Sequence, residues 1–270
     1  MLAIISDREI DKEAILYHLL NSPKSILKQS AYNEKRLQKD GWGIGFFSGE
    51  KAKIFKSPNA VYDEQNLLRD KSLKANSKIF IVHVRNASNP RKLPHKELIS
   101  YYNTQPFSAG NIIFAHNGTL SIVDEIYSNL GSYSKYVRGV NDSEILFWNF
   151  IKHLDSYGDI KKALIMVRDE INTVWVSVRK DYSDINTPYK GLNIFVSDGK
   201  SFYALCDFAM KKEIYSIMTP GWEYGKMALK RENKMVIISS EPTDNSKWTK
   251  IDNLSVIEVN NLSIKLSKVG

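Results

Sequence analysis

Apolar residues follow two different periods along this chain. Leu2 to Ser6 is a short apolar run suited to a buried strand. From Asp7 to Leu20 the apolar residues Ile10, Ala14, Tyr17 and Leu20 have helical spacing, and Ser22 to Asp40 is polar and reads as loop with a short helix. Trp42–Phe47 and Lys51–Phe55 flank Ser48-Gly49-Glu50 and predict a hairpin. Asp63–Arg69 predicts a helix, and Lys78–Arg85 and Asn111–His116 predict strands. Asn89 to Phe107 holds three prolines and is expected to be mostly loop, which in a compact domain points to function. One helix is predicted from Asn141 through Ile145, Leu146, Trp148, Phe150 and Ile151, another over Ile160–Asp169. Strands follow at Thr173–Val178, Leu192–Val196, Ser201–Leu205, Glu213–Met218, Met235–Ser239, Ser255–Val259 and Leu262–Leu266, with turns at Asp198-Gly199 and Asn260-Asn261. Strands open and close the chain with helices between, so layered α+β sheets with outer helices are expected. No repeat or linker divides residues 1–270, which read as a single domain.

Composition narrows the function classes. The 43% hydrophobic and 25% charged content is that of an ordinary globular protein. No apolar run approaches the roughly 20 residues of a membrane span, and the N-terminus lacks a secretory pattern. The single Cys206 excludes an intramolecular disulfide and fits a reducing cytoplasm. The net charge of +8 comes from scattered lysines mixed with acids, which does not make nucleic acid the main partner.

Few residues carry recognisable chemistry. Gly41-Trp42-Gly43-Ile44-Gly45 alternates within a strand-like run instead of opening a helix, so it is no dinucleotide loop. Its small residues instead let a backbone or ligand approach one sheet face. The five histidines lack metal-ligand spacing, and no cofactor motif is found. His83 and His116, near strand ends, read as packed, hydrogen-bonded residues. Arg85 ends an apolar strand, either as a surface ion pair or as a bidentate clamp on a carboxylate. Asn117-Gly118 is a turn when taken alone. At a strand end it would also set a side-chain amide beside a backbone N–H, the two donors of an oxyanion hole. Asn141-Asp142-Ser143-Glu144 reads as a capping box that leaves Asp142 facing a ligand ammonium. Cys206 lies in an apolar run and reads as core.

Taken in order, these segments resemble the class II glutamine amidotransferases, specifically the stand-alone type of the N-terminal nucleophile hydrolases. Asp40-Gly41-Trp42-Gly43-Ile44-Gly45-Phe46 resembles the family's DGWG strand, and His83-Val84-Arg85-Asn86-Ala87-Ser88 its H-x-R segment. Asn103-Thr104-Gln105-Pro106-Phe107 resembles its N-x-HPF loop, with Gln105 for the histidine. Ala115-His116-Asn117-Gly118 and Asn141-Asp142-Ser143-Glu144 resemble its HNG and DSE motifs. Ile238-Ser239-Ser240-Glu241-Pro242 with Trp248 resembles its C-terminal segment.

The resemblance implies a four-layer α-β-β-α sandwich of two antiparallel sheets. It implies a pocket for glutamine or a related amino acid, with Arg85 on the α-carboxylate, Asp142 on the α-ammonium, and Ser88 and His116 in the same substrate-binding set. Asn117 and Gly118 would stabilise the oxyanion formed when an N-terminal Cys attacks the side-chain amide. The family begins Met-Cys where this chain begins Met1-Leu2, so Leu2 occupies the nucleophile position and the bulk of Leu2 predicts that Met1 is retained. The resulting expectation is a binding or regulatory protein without glutaminase activity. The alternatives are an active hydrolase with another nucleophile, or with Cys as its native second residue, and a pure interaction scaffold. Any ammonia-accepting synthase is expected on another polypeptide.

Overall fold

Two antiparallel sheets stack face to face, and helices cover both outer surfaces. The computed structural model describes residues 1–32, 34, 37–209 and 218–269. Among them, the first sheet has the order β11-β9-β10-β1-β4-β2-β3, built from Thr249–Lys250, Ala228–Glu232, Met235–Ser239, Leu2–Ser6, Ile79–Val84, Trp42–Ser48 and Lys51–Ser57. The second has the order β13-β12-β8-β7-β6-β5, built from Ser263–Lys268, Ser255–Asn260, Ser201–Cys206, Tyr189–Ser197, Ile112–Leu120 and Phe107–Ala109. Helices α1 (Lys12–Leu16, continued by a π turn over Tyr17–Asn21), α2 (Ile26–Ala31) and α3 (Gln65–Leu73) lie on the first sheet. Helices α5 (Val123–Ser128), α6 (Asp142–Tyr157) and α7 (Ile160–Val178) lie on the second, and the short α4 (His95–Leu98) sits in the proline-rich loop. This is the α-β-β-α sandwich that the resemblance implied. Among the described residues no helix is long and apolar enough to cross a membrane.

Alternation of side chains across the strands sorts the interior into three cores. Leu2 and Ile4 of β1 join Trp42, Phe80 and Val82 beneath α1–α3. Met1, Ala3 and Ile5 point the other way, with Ile81, Ala115 and Phe195, into the core between the sheets. Ile112, Phe114, Ile194 and Val196 pack beneath α6 and α7. β1 is central, paired to β10 on one side and β4 on the other, so both its faces are dry and its sequence is apolar without alternation.

Local signals set the ends of the helices. Asn141 caps α6 by accepting from the Ser143 N–H at 2.9 Å, and Gly158 closes the helix in the left-handed conformation at φ 66°. The expected reciprocal half of the capping box is not formed. The Glu144 carboxylate instead accepts from the Arg138 and Gly139 N–H groups, at 3.0 and 2.7 Å, and so ties down the preceding loop. Asp159 caps α7, whose buried positions Ile160, Ala163, Leu164, Val167 and Ile171 trace one helical stripe.

Two local expectations are corrected. Thr173–Val178 is β-branched and reads as a strand, but it is the last part of α7. Val174, Trp175 and Val178 extend the stripe onto the same core, and tertiary burial overrides strand propensity. Asn117-Gly118 is not a turn, since β6 runs through it to Leu120. Gly118 is required by crowding instead: a Cβ there would lie 1.9 Å from the carbonyl oxygen of Gly191 on β7. β5, β9 and β11 were not foreseen; β9 carries the polar run Lys230-Arg231-Glu232. The expected strand Glu213–Met218 lies, except for Met218, outside the described residues.

Candidate active site

Between the ends of the two sheets lies a cavity of about 460 Å³. Its wall includes Met1, Arg85, Ser88, His116, Asn117 and Gly118.

Arg85 follows β4 and is almost fully buried. Asp40-Gly41 clasps its backbone from both directions: the Arg85 N–H donates to the Gly41 carbonyl at 2.8 Å, and the Asp40 N–H donates to the Arg85 carbonyl at 3.0 Å. Arg85 Nη1 donates to the carbonyls of Leu98 at 2.8 Å and Asp40 at 3.2 Å. The Asp40 carboxylate accepts from the Ala87 N–H at 2.8 Å, fixing the next turn of chain. Burial draws the guanidinium pKa down, against the opposing pull of Asp142 and Asp40. Arg85 is therefore an inward cation in a rigid mount, and the surface ion pair is excluded.

Asn117 lies on the face of β6 that looks toward the first sheet, and its Nδ2 donates to Ser240 Oγ at 3.0 Å across the gap. His116, one residue earlier, points to the opposite face. There its ring contacts Ser143 Oγ at the start of α6 (Nδ1, 2.9 Å) and the Gly191 carbonyl (Nε2, 3.0 Å). The carbonyl can only accept, so Nε2 carries the proton and Ser143 donates to Nδ1. Burial lowers the pKa of His116, and lowers that of His83 well below its usual value, with the Met1 ammonium as the next cause. Burial thus favours the neutral form of both imidazoles.

The Asn103–Phe107 loop links these parts. Gln105, in place of the family histidine, pairs its amide with the His116 backbone. Asn103 Oδ1 accepts from the Val140 and Asn141 N–H groups at 2.7 and 3.2 Å, so it sets where α6 begins. The glycines of β2 let this loop cross. A Cβ on Gly43 would lie 2.4 Å from the Gln105 carbonyl oxygen, and one on Gly45 would lie 3.2 Å from Pro106 Cγ.

Two expected site residues are not in the cavity wall. Asp142 sits behind Ser88: its Oδ1 accepts from Ser88 Oγ at 3.0 Å and its Oδ2 from the Leu120 N–H at 2.9 Å. Leu2 is completely buried beneath α1–α3, on the far side of its sheet. The residue at this end of the sheet that does line the cavity is Met1, just ahead of β1. The Ser240 N–H and Ser239 Oγ hold the Met1 carbonyl at 2.9 and 3.1 Å, and burial lowers its amino group to about 6 against the pull of Glu241. Sequence reasoning missed Gln38 and Tyr224 in the wall and gave Ser240 no role beyond its motif, since each becomes significant only through long-range packing. Cys206 is buried among apolar residues, which pushes its thiol up to about 12.

Among the described residues, His18, Glu232 and Asp244 bring ligand atoms within 4.8 Å of one another. The Lys230 ammonium already contacts both carboxylates, Asp244 at 2.8 Å, and supplies the cation there.

A sequence profile described as "Glutamine amidotransferases class-II" matches residues 24–261. An uncharacterized protein of Methanocaldococcus jannaschii is 27% identical over 233 residues, covering 79% of this chain and 59% of that protein. A probable glutamine amidotransferase of Saccharomyces cerevisiae is 24% identical over 94% of this chain and 80% of its own length. The gamma-glutamyl-hercynylcysteine sulfoxide hydrolase of Mycobacterium tuberculosis is 24% identical over 92% of this chain and 89% of its own. In fold, the chain is similar to the glutamine phosphoribosylpyrophosphate amidotransferase of Bacillus subtilis, with a TM-score of 0.66 at 16% identity, over 100% of this chain and 49% of that one.

Proposed function

Since the chain belongs to the class II glutamine amidotransferases, we propose that its cavity binds glutamine or another γ-glutamyl compound as one domain over residues 1–270. The observation that carries this reading is the joint presence of a mounted Arg85 and the Asn117 amide in one wall. The guanidinium suits the α-carboxylate, and the amide with Gly118 suits the oxygen of the side-chain amide. Asp142 acts on the α-ammonium through Ser88 or after Ser88 rotates away from it. The volume suits a small-molecule site and leaves room beyond glutamine for a substituent on the amide nitrogen.

Residues 1–270 bind this ligand without hydrolysing it. Leu2 has no nucleophilic atom and faces away, and the Cys206 thiol lies outside the cavity wall. The buried free thiol supports a reducing compartment, the cytoplasm. Calorimetry with L-glutamine, L-glutamate and a γ-glutamyl dipeptide tests the reading. Saturable heat with one of them is expected, and no heat with all three would overturn it.

The rival reading is hydrolysis by another nucleophile. Its candidate is Ser143, whose hydroxyl meets His116 Nδ1. Ammonia release from L-glutamine that disappears in Ser143→Ala would establish it.

A further inference from the structure

The two pairings of β1 define where a reactive side chain would have to stand. Leu2 lies opposite Val82 on β4 and opposite Ser239 on β10. Met1, just ahead of β1, and the odd positions Ala3 and Ile5 face the second sheet, and the even positions Leu2 and Ile4 face α1–α3. β4 and the residue after it keep the same parity. Val82 and Val84 pack beneath the helices, whereas His83 reaches the His116 carbonyl at 3.1 Å and Arg85 enters the cavity.

Continued beyond Met1, this register sets one preceding residue opposite Val84, on the helix side. The residue before that falls opposite Arg85, on the cavity side, roughly 7 Å past Met1 at the usual strand rise. The cavity wall runs on in the same direction through Arg85, Asn86, Ala87 and Ser88. A one-residue slip would send the side chain to the wrong face.

We infer that the reactive position of this site is the place two residues ahead of Met1 on the line of β1, opposite Arg85, and not position 2. The inference rests on the glutamine reading for its chemistry alone; the register holds whatever the ligand. A thiol at that place forms a bond from sulfur to the side-chain carbonyl carbon of glutamine. Its proton passes to the leaving nitrogen as the carbon–nitrogen bond breaks and ammonia departs. Water then hydrolyses the thioester to glutamate and restores the thiol.

Three variants test this. One chain carries Cys-Gly ahead of Met1, the second carries Gly-Cys there, and the third is Leu2→Cys; in the first two a cleaved leader leaves the added pair N-terminal. Each is checked for folding by thermal melting, alkylated with iodoacetamide in the folded state, and assayed for ammonia release from L-glutamine. The Cys-Gly chain is expected to alkylate readily and to exceed the unmodified chain in ammonia release by at least on the order of 10³-fold. Leu2→Cys is expected to be protected and inactive, and the Gly-Cys chain to be inactive. Ammonia release from Leu2→Cys or from the Gly-Cys chain that matches or exceeds that of the Cys-Gly chain would overturn the inference. Protection of the Cys-Gly thiol in the folded chain would overturn it too. Ready alkylation of the Cys-Gly chain with Leu2→Cys protected, and no ammonia from any variant, would uphold the register and reject the glutamine reading.

Discussion

Gln105 holds the peptide of His116 from both sides. Its Oε1 accepts from the His116 N–H at 2.6 Å, and its Nε2 donates to the His116 carbonyl at 2.9 Å. β5 pairs only with Ile112–Phe114, so a side-chain amide continues the ladder where that strand has not yet begun. Replacing it with Met keeps the bulk and removes the polar atoms. The carbonyl retains His83 Nε2 as a donor, but the N–H is left buried and unpaired. Gln105→Met is therefore expected to lower stability by about 2–3 kcal/mol in urea unfolding. A change below about 0.5 kcal/mol would mean that the amide bracket contributes nothing net.

Gly118 tolerates no side chain because of Gly191. Gly118→Ala is expected to cost more than about 3 kcal/mol or to abolish soluble expression, since the contact is with backbone that cannot rotate away. Gly110→Ala is the comparison: nothing lies within 4 Å, and only the φ of +57° opposes the change. It is expected to cost about 1 kcal/mol. Equal melting temperatures for the two variants would refute the crowding explanation.

Arg85→Lys separates charge from geometry. The two carbonyls that accept from Nη1 are placed for a guanidinium, and an ammonium cannot hold them while also forking a carboxylate. Affinity for whichever γ-glutamyl ligand binds is expected to fall by on the order of 10–100-fold in calorimetry, equivalent to about 1.4–2.7 kcal/mol. The melting curve is expected to move much less. Unchanged affinity would remove Arg85 from the binding site.

Acid sensitivity is expected from the polar cluster between α6 and α7. Burial raises the Glu170 pKa, but hydrogen bonds from His153, Lys152 and Asn149 outweigh it and hold the carboxyl at about 2. A folded pKa below the unfolded one gives stability that is complete above about pH 4.5 and is lost as pH falls toward 2. Partial solvent exposure reduces the effect to about 1–2 kcal/mol. His18, which burial lowers to about 4, acts in the same direction between about pH 6.5 and 4. Urea midpoints for wild type and Glu170→Gln should converge at pH 2.5 and separate at pH 6. A constant gap across that range would contradict the assignment.

The single cysteine gives a clean accessibility probe. Cys206 is fully buried with its thiol pushed up to about 12. Native protein is expected to resist thiol reagents until it unfolds. Prompt labelling at pH 8 without unfolding would show that the inter-sheet core opens.

Much of this architecture is legible in local pattern. The apolar run at residues 2–6, the hairpin around Gly49, the cap at Asn141 and the apolar stripe of α7 all depend on neighbours a few residues away, which periodicity and turn chemistry report. Arg85, Ser88, His116, Asn117 and Gly118 could be selected from their motifs, and they do share one cavity. The failures are equally specific. Thr173–Val178 has strand-forming residues in a helix because the core under α7 extends to Val178. Asn117-Gly118 has turn chemistry inside a strand because β7 passes too close for a Cβ.

Residue identity along the chain settled the fold class and singled out five residues that line the cavity. The assembled sheets decided which face each residue occupies. Leu2 and Met1 are adjacent and both apolar, and no local rule distinguishes their roles. β1 pairs with β4 and β10 in a register that turns Leu2 under the helices and Met1 into the cavity. Side chains alternate with period two, so that register alone determines which residue faces the cavity.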